Sequence, residues 1–293
     1  MGNGGISYSK QKKIVLLMFL SIPVMLLAVF AYYPAVKLIQ LSFTDWNGMD
    51  LRLNNIGFRN YIELFKDGST FTILMNNAAY IIIMFTQTAL ALYLAVILNS
   101  NVICRNMFRS TFFMPYVLNG VAVAFMFSFI YDFNYSPVNV ILRGIGLENL
   151  CIKWLNDNYL INFSLAFISM WRYTGFSMII FIGALQSVSN ELYEAAKIDG
   201  ANFFHNLRYI AIPSIKRTIE LLVFLGLSGS MQAYFEALLL TKGGPAGRSA
   251  TFAYKSIEMA FTFQNFGKAS AMGVILLSIV IAIIAVQKKL LSK

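Results

Sequence analysis

The sequence predicts an all-α protein that crosses a membrane several times. Hydrophobic residues make up 58% of the 293 positions and charged residues only 12%, whereas soluble domains carry about 25% charged residues. Mainly apolar windows of roughly 20 residues, the length of a helix that spans the hydrocarbon core, recur along the chain. The short alternating segments of an outer-membrane barrel do not. These observations predict a polytopic helical membrane protein.

Six windows are long and apolar enough to be transmembrane helices. They cover residues 14–35, 72–98, 112–131, 161–185, 217–240 and 269–286. The fourth contains Arg172 and the fifth is polar in its middle, so these two are the least lipid-like. The first follows three lysines, but it is too long for a signal peptide and has no cleavage site, so we expect it to be retained.

Basic residues predict that both termini lie in the cytoplasm. With that orientation the inner segments carry slightly more Lys and Arg than the outer loops, although the outer loops are longer in total. This is the bias that orients membrane proteins. The net charge of +10 therefore reports orientation, and no nucleic-acid partner is expected.

The chain divides into three predicted parts. Residues 1–71 comprise the N-terminal tail, the first span and an outer loop, residues 72–286 form a core of five helices, and residues 287–293 are a tail. Turns are predicted at Asn47-Gly48 and at 241–245, and a short helix flanked by turns within 132–160. The loop 186–216 is the only inner segment long enough to fold.

The sequence offers this protein little means of energising transport by itself. Arg172 is the one central ionisable residue of the spans, with Glu220 and Glu236 near the ends of the fifth, so no proton relay crosses the membrane. The segment 243–249 lacks the lysine of a P-loop. A single histidine, His205, and no Cys/His cluster leave no metal site. An ATPase on a separate subunit is therefore favoured.

The inner loop combines charge with small side chains at helical spacing. Glu191, Glu194 and Ala195 share a face with Ile198, and Gly200 is suited to end the helix. Phe203, Phe204 and Leu207 are expected to pack a second short helix onto the bundle. Four small residues permit close approach by a partner: Ala195, Ala196, Gly200 and Ala201. Such a helix fits a groove on another protein; the simpler alternative is an amphipathic loop without a partner.

Glu194–Ala201 followed by Ile210-Ala211-Ile212-Pro213 resembles the EAA motif of permease subunits of binding-protein-dependent ABC importers. The resemblance extends over nearly the whole chain, through Ser42–Trp46, Trp154-Leu155, Leu185–Ser187, Thr241–Pro245 and Phe266–Ala271. These segments are similar to the carbohydrate group, and within it to the first permease subunit of maltose, lactose and glycerol-3-phosphate importers. Unlike the maltose subunit, this chain has no large extra outer domain.

The resemblance implies a type I ABC importer permease in the bacterial cell membrane. It implies three partners besides the bilayer: a homologous second permease, an ATPase dimer and an extracellular solute-binding protein. ATP and magnesium would bind to the ATPase, and this chain would have no cofactor or catalytic residue of its own. The residues expected to dock the ATPase are Glu191, Glu194, Ala195, Ala196, Asp199, Gly200 and Ala201.

The fourth and fifth spans mix aromatic and hydrogen-bonding side chains, as carbohydrate sites do. The residue pattern and the resemblance together give the expected solute path: Ser169, Arg172, Tyr173, Phe176, Gly226, Gly229, Ser230, Gln232 and Ala233. Asparagines of the maltose pocket are replaced by Ser169, Ser230 and Ala233, so the same sugar is not implied. Structural roles stay open as well: Arg172 paired with a neighbouring helix, Ser230 and Gln232 as interhelical hydrogen-bond partners, and the glycines as packing positions.

The function predicted from the sequence is that of one transmembrane subunit of a sugar importer that works by alternating access. The alternatives are a stand-alone secondary carrier or channel, and an ABC permease for a solute other than a sugar.

Overall fold

A computed structural model describes residues 8–50, 52–100 and 102–291. The outermost parts of both predicted tails, residues 1–7 and 292–293, lie outside the described residues. Within them the chain is helical, and one isolated antiparallel bridge joins Thr44 to Asn55. The longer helices are α1 (Tyr8–Leu27), α2 (Tyr33–Leu41), α3 (Arg59–Lys66), α4 (Gly68–Asn99), α5 (Arg105–Val117), α6 (Gly120–Ile130), α7 (Pro137–Gly144), α8 (Leu160–Gln186), α9 (Asn190–Ile198), α12 (Lys216–Met231), α13 (Phe252–Phe261) and α14 (Phe266–Leu291). The short ones are α10 (Phe203–His205) and α11 (Ile212–Ser214), with π-helical turns at Ala28–Tyr32, Asn206–Ala211 and Ala237–Thr241 and a 3₁₀ turn at Glu148–Leu150.

Four of the predicted spans are long apolar helices in the described residues: Tyr8–Leu41, Gly68–Asn99, Leu160–Gln186 and Phe266–Lys289. The third predicted span is instead a bent pair, because α5 and α6 meet at 98°. The fifth is broken: α12 ends at Met231, and helical turns resume only near Glu236. Several spans are therefore established, while the count of six and the side on which the termini lie stay predictions.

The chain forms two compact units. The first comprises residues 1–66 with 258–275, so the structure groups a C-terminal segment with the predicted N-terminal part. In it, Gly267 lies so close to Thr44 that an added Cβ would overlap the Thr44 carbonyl oxygen. The rings of Trp46 and Phe266 lie 5.5 Å apart. Asn60 Nδ2 donates to the Thr44 carbonyl at 2.9 Å, so this loop is held by contacts across long sequence separations.

The second unit comprises residues 67–257 with 276–293. Its core lies where α4 packs along α8: Ala91 and Ala95 of α4 and Met178 and Phe181 of α8 are fully buried together. Small side chains on α4 let the two helices approach closely, which is the usual basis of helix association in a membrane.

The predicted turns and the short outer helix are confirmed. Asn47 Oδ1 accepts from the backbone of Met49 at 3.0 Å and Gly48 has φ +88°. The helix within 132–160 is α7. Residues 241–247 turn through positive φ at Lys242 and Gly243 and a cis bond before Pro245.

Candidate functional site

A cavity of about 780 Å³ lies among α4, α8, α12 and the broken segment that follows α12. All nine residues predicted for the solute path line it: Ser169, Arg172, Tyr173, Phe176, Gly226, Gly229, Ser230, Gln232 and Ala233. The structure therefore brings together residues from two predicted spans. That a solute touches them stays a prediction.

Aromatic rings form one side of the cavity. Tyr173 and Phe176 project from α8, and Tyr116 of α5 stacks on Phe176 with ring centroids 4.7 Å apart. Tyr116 also makes an edge-type contact with Tyr173, with ring centroids 5.8 Å apart. An aromatic wall of this kind packs against the apolar faces of a ligand such as a sugar ring.

Hydrogen-bonding groups occupy other parts of the wall. Ser169 Oγ donates to Glu236 Oε1 at 2.8 Å. Gln87 Nε2 donates to Ser177 Oγ at 2.9 Å and to the Tyr173 carbonyl at 3.2 Å. Since Glu236 is buried to 6% exposure, the serine hydroxyl supplies one partner for a charge that would be costly to bury alone.

Arg172 lines the cavity. Its Nε is buried and has no hydrogen-bond partner among the described residues. Its guanidinium lies 5.6 Å from the ring centroid of Tyr173, a favourable cation–π arrangement. Arg172 thus lies at the cavity and also beside α6, since a Cβ on Gly120 would be 3.3 Å from its Nη1; the choice between a cavity-facing and a helix-pairing role stays open.

Ser230 and Gln232 have hydrogen bonds that fix helices. Ser230 Oγ donates to the Tyr80 carbonyl of α4 at 3.2 Å, so the interhelical alternative holds for it. Gln232 Nε2 donates to the Ser228 carbonyl at 3.2 Å, at the end of its own helix. Both line the cavity while holding its wall in place.

The glycines of α12 differ in their surroundings. A Cβ on Gly226 would lie 2.5 Å from Met84 Cγ, so this glycine allows α12 to approach α4. A Cβ on Gly229 would meet no atom within 4 Å. Close packing of α12 against α4 therefore explains why a glycine stands at position 226. At position 229 the missing side chain leaves space in the cavity.

Sequence reasoning missed the contribution of the second span. Tyr80, Met84 and Gln87 of α4 line the cavity, and none was predicted there. The signal was present, because Asn77, Tyr80, Met84 and Gln87 recur at three- and four-residue spacing and so share one helix face. Glu236 was recognised as a polar residue of the fifth span but was not placed on the solute path.

The predicted docking segment forms α9, which ends as expected. Gly200 has φ +81°, and the Ala201 N–H donates to the Ala196 carbonyl at 2.8 Å, the closing bond of a Schellman cap. Asn202 Oδ1 then accepts from the His205 N–H at 2.9 Å and starts α10. The two short helices are thereby fixed at a tight corner.

The docking segment presents most of its surface to the outside. Of the seven predicted docking residues, Ala196 and Ala201 are half-buried and the others are exposed: Glu191, Glu194, Ala195, Asp199 and Gly200. Ile198 is 87% exposed beside them. Partial burial raises the pKa of the Tyr193 hydroxyl on the opposite side. The helix therefore has one anchored side and one free side.

The three residues expected to pack the second short helix onto the bundle differ in their surroundings. Leu207 packs against the core at the ends of α4 and α8. Phe204 is 75% exposed, so the expectation was wrong for it. Phe203 is 53% exposed but lines a pocket with Val96 and Leu185.

The apolar spans and the polar, aromatic cavity among them define a multi-pass membrane protein with an internal cavity. Residues 87–293 match the family model described as binding-protein-dependent transport system inner membrane component. The chain is 34% identical to the probable ABC transporter permease protein YurN of Bacillus subtilis, over 95% of this chain and 96% of that protein. It is 29% identical to the diacetylchitobiose uptake system permease protein NgcF of Streptomyces coelicolor, over 92% and 80%.

A solved structure has the same fold. A chain of a bacterial alginate ABC transporter, crystallised with its alginate pentasaccharide-bound periplasmic protein, superimposes with a TM-score of 0.81 at 21% identity, over 97% of this chain and 96% of that one. The chain described here belongs to the family of inner-membrane components of binding-protein-dependent transport systems.

Proposed function

We propose that this chain is one of two transmembrane subunits of an ATP-driven importer and that it carries a sugar or oligosaccharide through the cavity by alternating access. The observation that carries the proposal is the convergence of nine expected path residues on one cavity of about 780 Å³. That volume falls within the range of ligand pockets, about 300–1,000 Å³.

The lining supports a saccharide as the cargo. Tyr173 and Phe176 offer aromatic faces, and Ser169, Gln232 and Glu236 offer hydrogen-bonding groups for hydroxyls. Among similar proteins, one is named for diacetylchitobiose uptake and another for alginate. Family membership speaks against a stand-alone carrier or channel. The remaining alternative is an ABC permease for a solute other than a sugar.

The exposed side of α9 is the proposed site of energy input. An ATPase groove would receive the acidic residues Glu191 and Glu194 around the exposed Ile198, with small side chains allowing close backbone contact. ATP and magnesium would be held by that ATPase. The complete importer would also contain a second permease and an extracellular solute-binding protein.

The test uses the complete importer, co-expressed and assayed for ATP-dependent uptake of neutral oligosaccharides. Glu194→Lys and Gly200→Asp are each expected to abolish uptake and to reduce the ATPase that co-purifies, with membrane insertion unchanged. Normal transport by these variants would contradict docking at α9. Uptake that persists without the ATPase but collapses with the ion gradient would indicate a carrier.

Glu148→Lys is the matched control. Glu148 is an exposed residue of an outer loop, so the same charge reversal there is expected to leave ATPase co-purification intact. Uptake of other polar solutes, with none of any sugar, would favour the non-sugar alternative.

A further inference from the structure

The cavity contains one acidic and one basic side chain. Among the residues that line it, only Arg172 and Glu236 carry formal charges. They come from different elements, α8 and the segment after α12. No salt bridge joins them in the part of the chain that the structure describes. The two charges cancel in sum, yet each is available to act on a solute.

Glu236 retains unused hydrogen-bonding capacity. A carboxylate is an acceptor with about four lone-pair sites, and the one side-chain hydrogen bond described for it is that from Ser169 at 2.8 Å. The residue is 6% exposed, so water screens its charge poorly. A hydroxyl of a bound solute would be a good donor to it, whereas a carboxylate on the solute would be repelled.

Two residues that line the cavity have a hydrogen-bond donor without a partner. Arg172 Nε and Tyr80 Oη are buried and have no hydrogen-bond partner in the described residues. Tyr80 is 3% exposed. A buried polar atom without a partner is costly, but these two atoms have almost no accessible surface, so a solute in the cavity does not reach them, and the charge of Glu236 remains the feature that acts on the solute.

We propose that Glu236 is a specificity-determining residue: it accepts hydrogen bonds from a neutral, hydroxylated solute and excludes solutes that carry a carboxylate. The inference rests on the proposed function, since it concerns the cargo of the same cavity. It is independent of the charge of alginate, an acidic polysaccharide, because a likeness at 20% identity shows the fold alone.

The test measures binding to the cavity without the solute-binding protein, which would otherwise select the cargo first. The permease–ATPase complex is placed in nanodiscs, and equilibrium binding of three radiolabelled pairs is compared: glucose with glucuronate, galactose with galacturonate, and cellobiose with cellobiouronate. The wild type is expected to bind a neutral member in preference to its uronate. Glu236→Gln is expected to raise the uronate-to-neutral affinity ratio about tenfold or more, since removing a like charge relieves repulsion.

Three variants separate the effect of charge on the uronate-to-neutral affinity ratio from the effect of a structural change. Glu236→Asp keeps the charge and is expected to keep the wild-type ratio. Ser169→Ala removes one hydrogen-bonding group of the cavity, so it is expected to weaken neutral and uronate binding together and to leave their ratio unchanged. Glu236→Gln combined with Arg172→Gln restores a cavity of zero net charge and is expected to reverse most of the rise in the uronate-to-neutral affinity ratio. Each variant is first checked for monodispersity and ATPase co-purification.

The outcomes distinguish two failures. If the wild type binds no neutral sugar of the panel, the proposed function itself is contradicted. If it binds one but Glu236→Gln leaves the ratio unchanged, or Ser169→Ala raises it equally, the role assigned to Glu236 is wrong.

Discussion

The side-chain amide of Asn77 in α4 caps the C-terminal end of α12 by donating to the backbone carbonyl of Ser230. Its Nδ2 donates to the Ser230 carbonyl at 3.0 Å and to that of Met231 at 3.3 Å, while its Oδ1 accepts from the Phe252 N–H at 3.1 Å. The helix ends at Met231, so these carbonyls lack the usual intrahelical donors. One buried amide therefore satisfies three backbone groups from two separate segments, which is what a helix break at membrane depth requires.

Replacing Asn77 by leucine is expected to destabilise the protein by about 1–3 kcal/mol, the cost of buried polar groups left unpaired. Interhelical hydrogen bonds in membranes average only about 0.6 kcal/mol. The larger value is expected here because three backbone groups lose a partner together. Thermal unfolding in detergent measures the change.

Thr86→Val is the control for that experiment. Thr86 is an exposed residue of the same helix whose hydroxyl bonds only the Ile82 carbonyl, so its loss is expected to cost within about 0.5 kcal/mol. Equal effects of the two substitutions would show that the break is not held by Asn77.

Gly175→Ala is expected to disrupt the crossing of α5 and α8. An added Cβ would overlap the Phe112 carbonyl oxygen and lie 2.8 Å from Phe113 Cα, and backbone cannot move aside as a flexible side chain does. Overpacking of this kind costs about 1–3 kcal/mol. The measurement is the unfolding midpoint together with the yield of monodisperse protein.

The same substitution at Gly183, eight residues on in α8, meets no atom within 4 Å. It is expected to be neutral or to stabilise by up to about 1 kcal/mol, because alanine loses less conformational entropy in a helix. If Gly175→Ala lowered the unfolding midpoint no more than Gly183→Ala does, the close approach of α5 to Gly175 would be contradicted.

The pH dependence of stability is expected to include a contribution from Glu63. The hydrogen bond from Arg59, at 2.9 Å, holds the pKa of this carboxyl below its ordinary value of 4.5, and Lys268 at 3.4 Å adds to the effect. Because the folded state lowers the pKa, the stabilisation is fully present above the unfolded value. It disappears as the pH falls through the lowered folded value.

Glu63→Gln is therefore expected to lower the unfolding midpoint at pH 7 and to have no effect in acid below the lowered pKa. Its side chain is 43% exposed, so the effect is limited to about 1 kcal/mol or less. Glu148→Gln, at an exposed glutamate without a salt bridge in the described residues, provides the comparison. A Glu63→Gln effect of the same size at both pH values would exclude the ionic contribution.

The sequence predicted the long spans well, since an uninterrupted apolar run is itself what a bilayer requires. The bend between α5 and α6 was missed because hydropathy shows that a segment is apolar but does not show where its helix axis changes direction. Its local signal is Asn119-Gly120: Asn119 Oδ1 accepts from the Val121 N–H at 2.8 Å and begins a new helix. A turn-forming Asn-Gly pair can therefore break a helix even inside an apolar window.

The break after α12 could not be found from local sequence. It depends on Asn77 and on Thr251, whose hydroxyl donates to the Ala233 carbonyl, and both residues lie outside the fifth span. The cavity residues of α8 and α12 were predictable because their polar and aromatic types stand out among apolar neighbours. Tyr80 also stands out among its alanine and isoleucine neighbours and could have been found from its helical spacing with Asn77 and Gln87. Met84 does not stand out in that way.

The empty space beside Gly229 has a consequence for how the cargo range can change. No atom lies within 4 Å of the position that a Cβ would take there, so an added methyl group would narrow the cavity without straining a helix contact. Gly229 carries no charge and lies outside the segment proposed to dock the ATPase, whereas Arg172 and Glu236 supply the charges of the cavity lining. If the cavity carries the proposed solute, a single substitution at Gly229 would reduce the bulk that it admits without changing its charge.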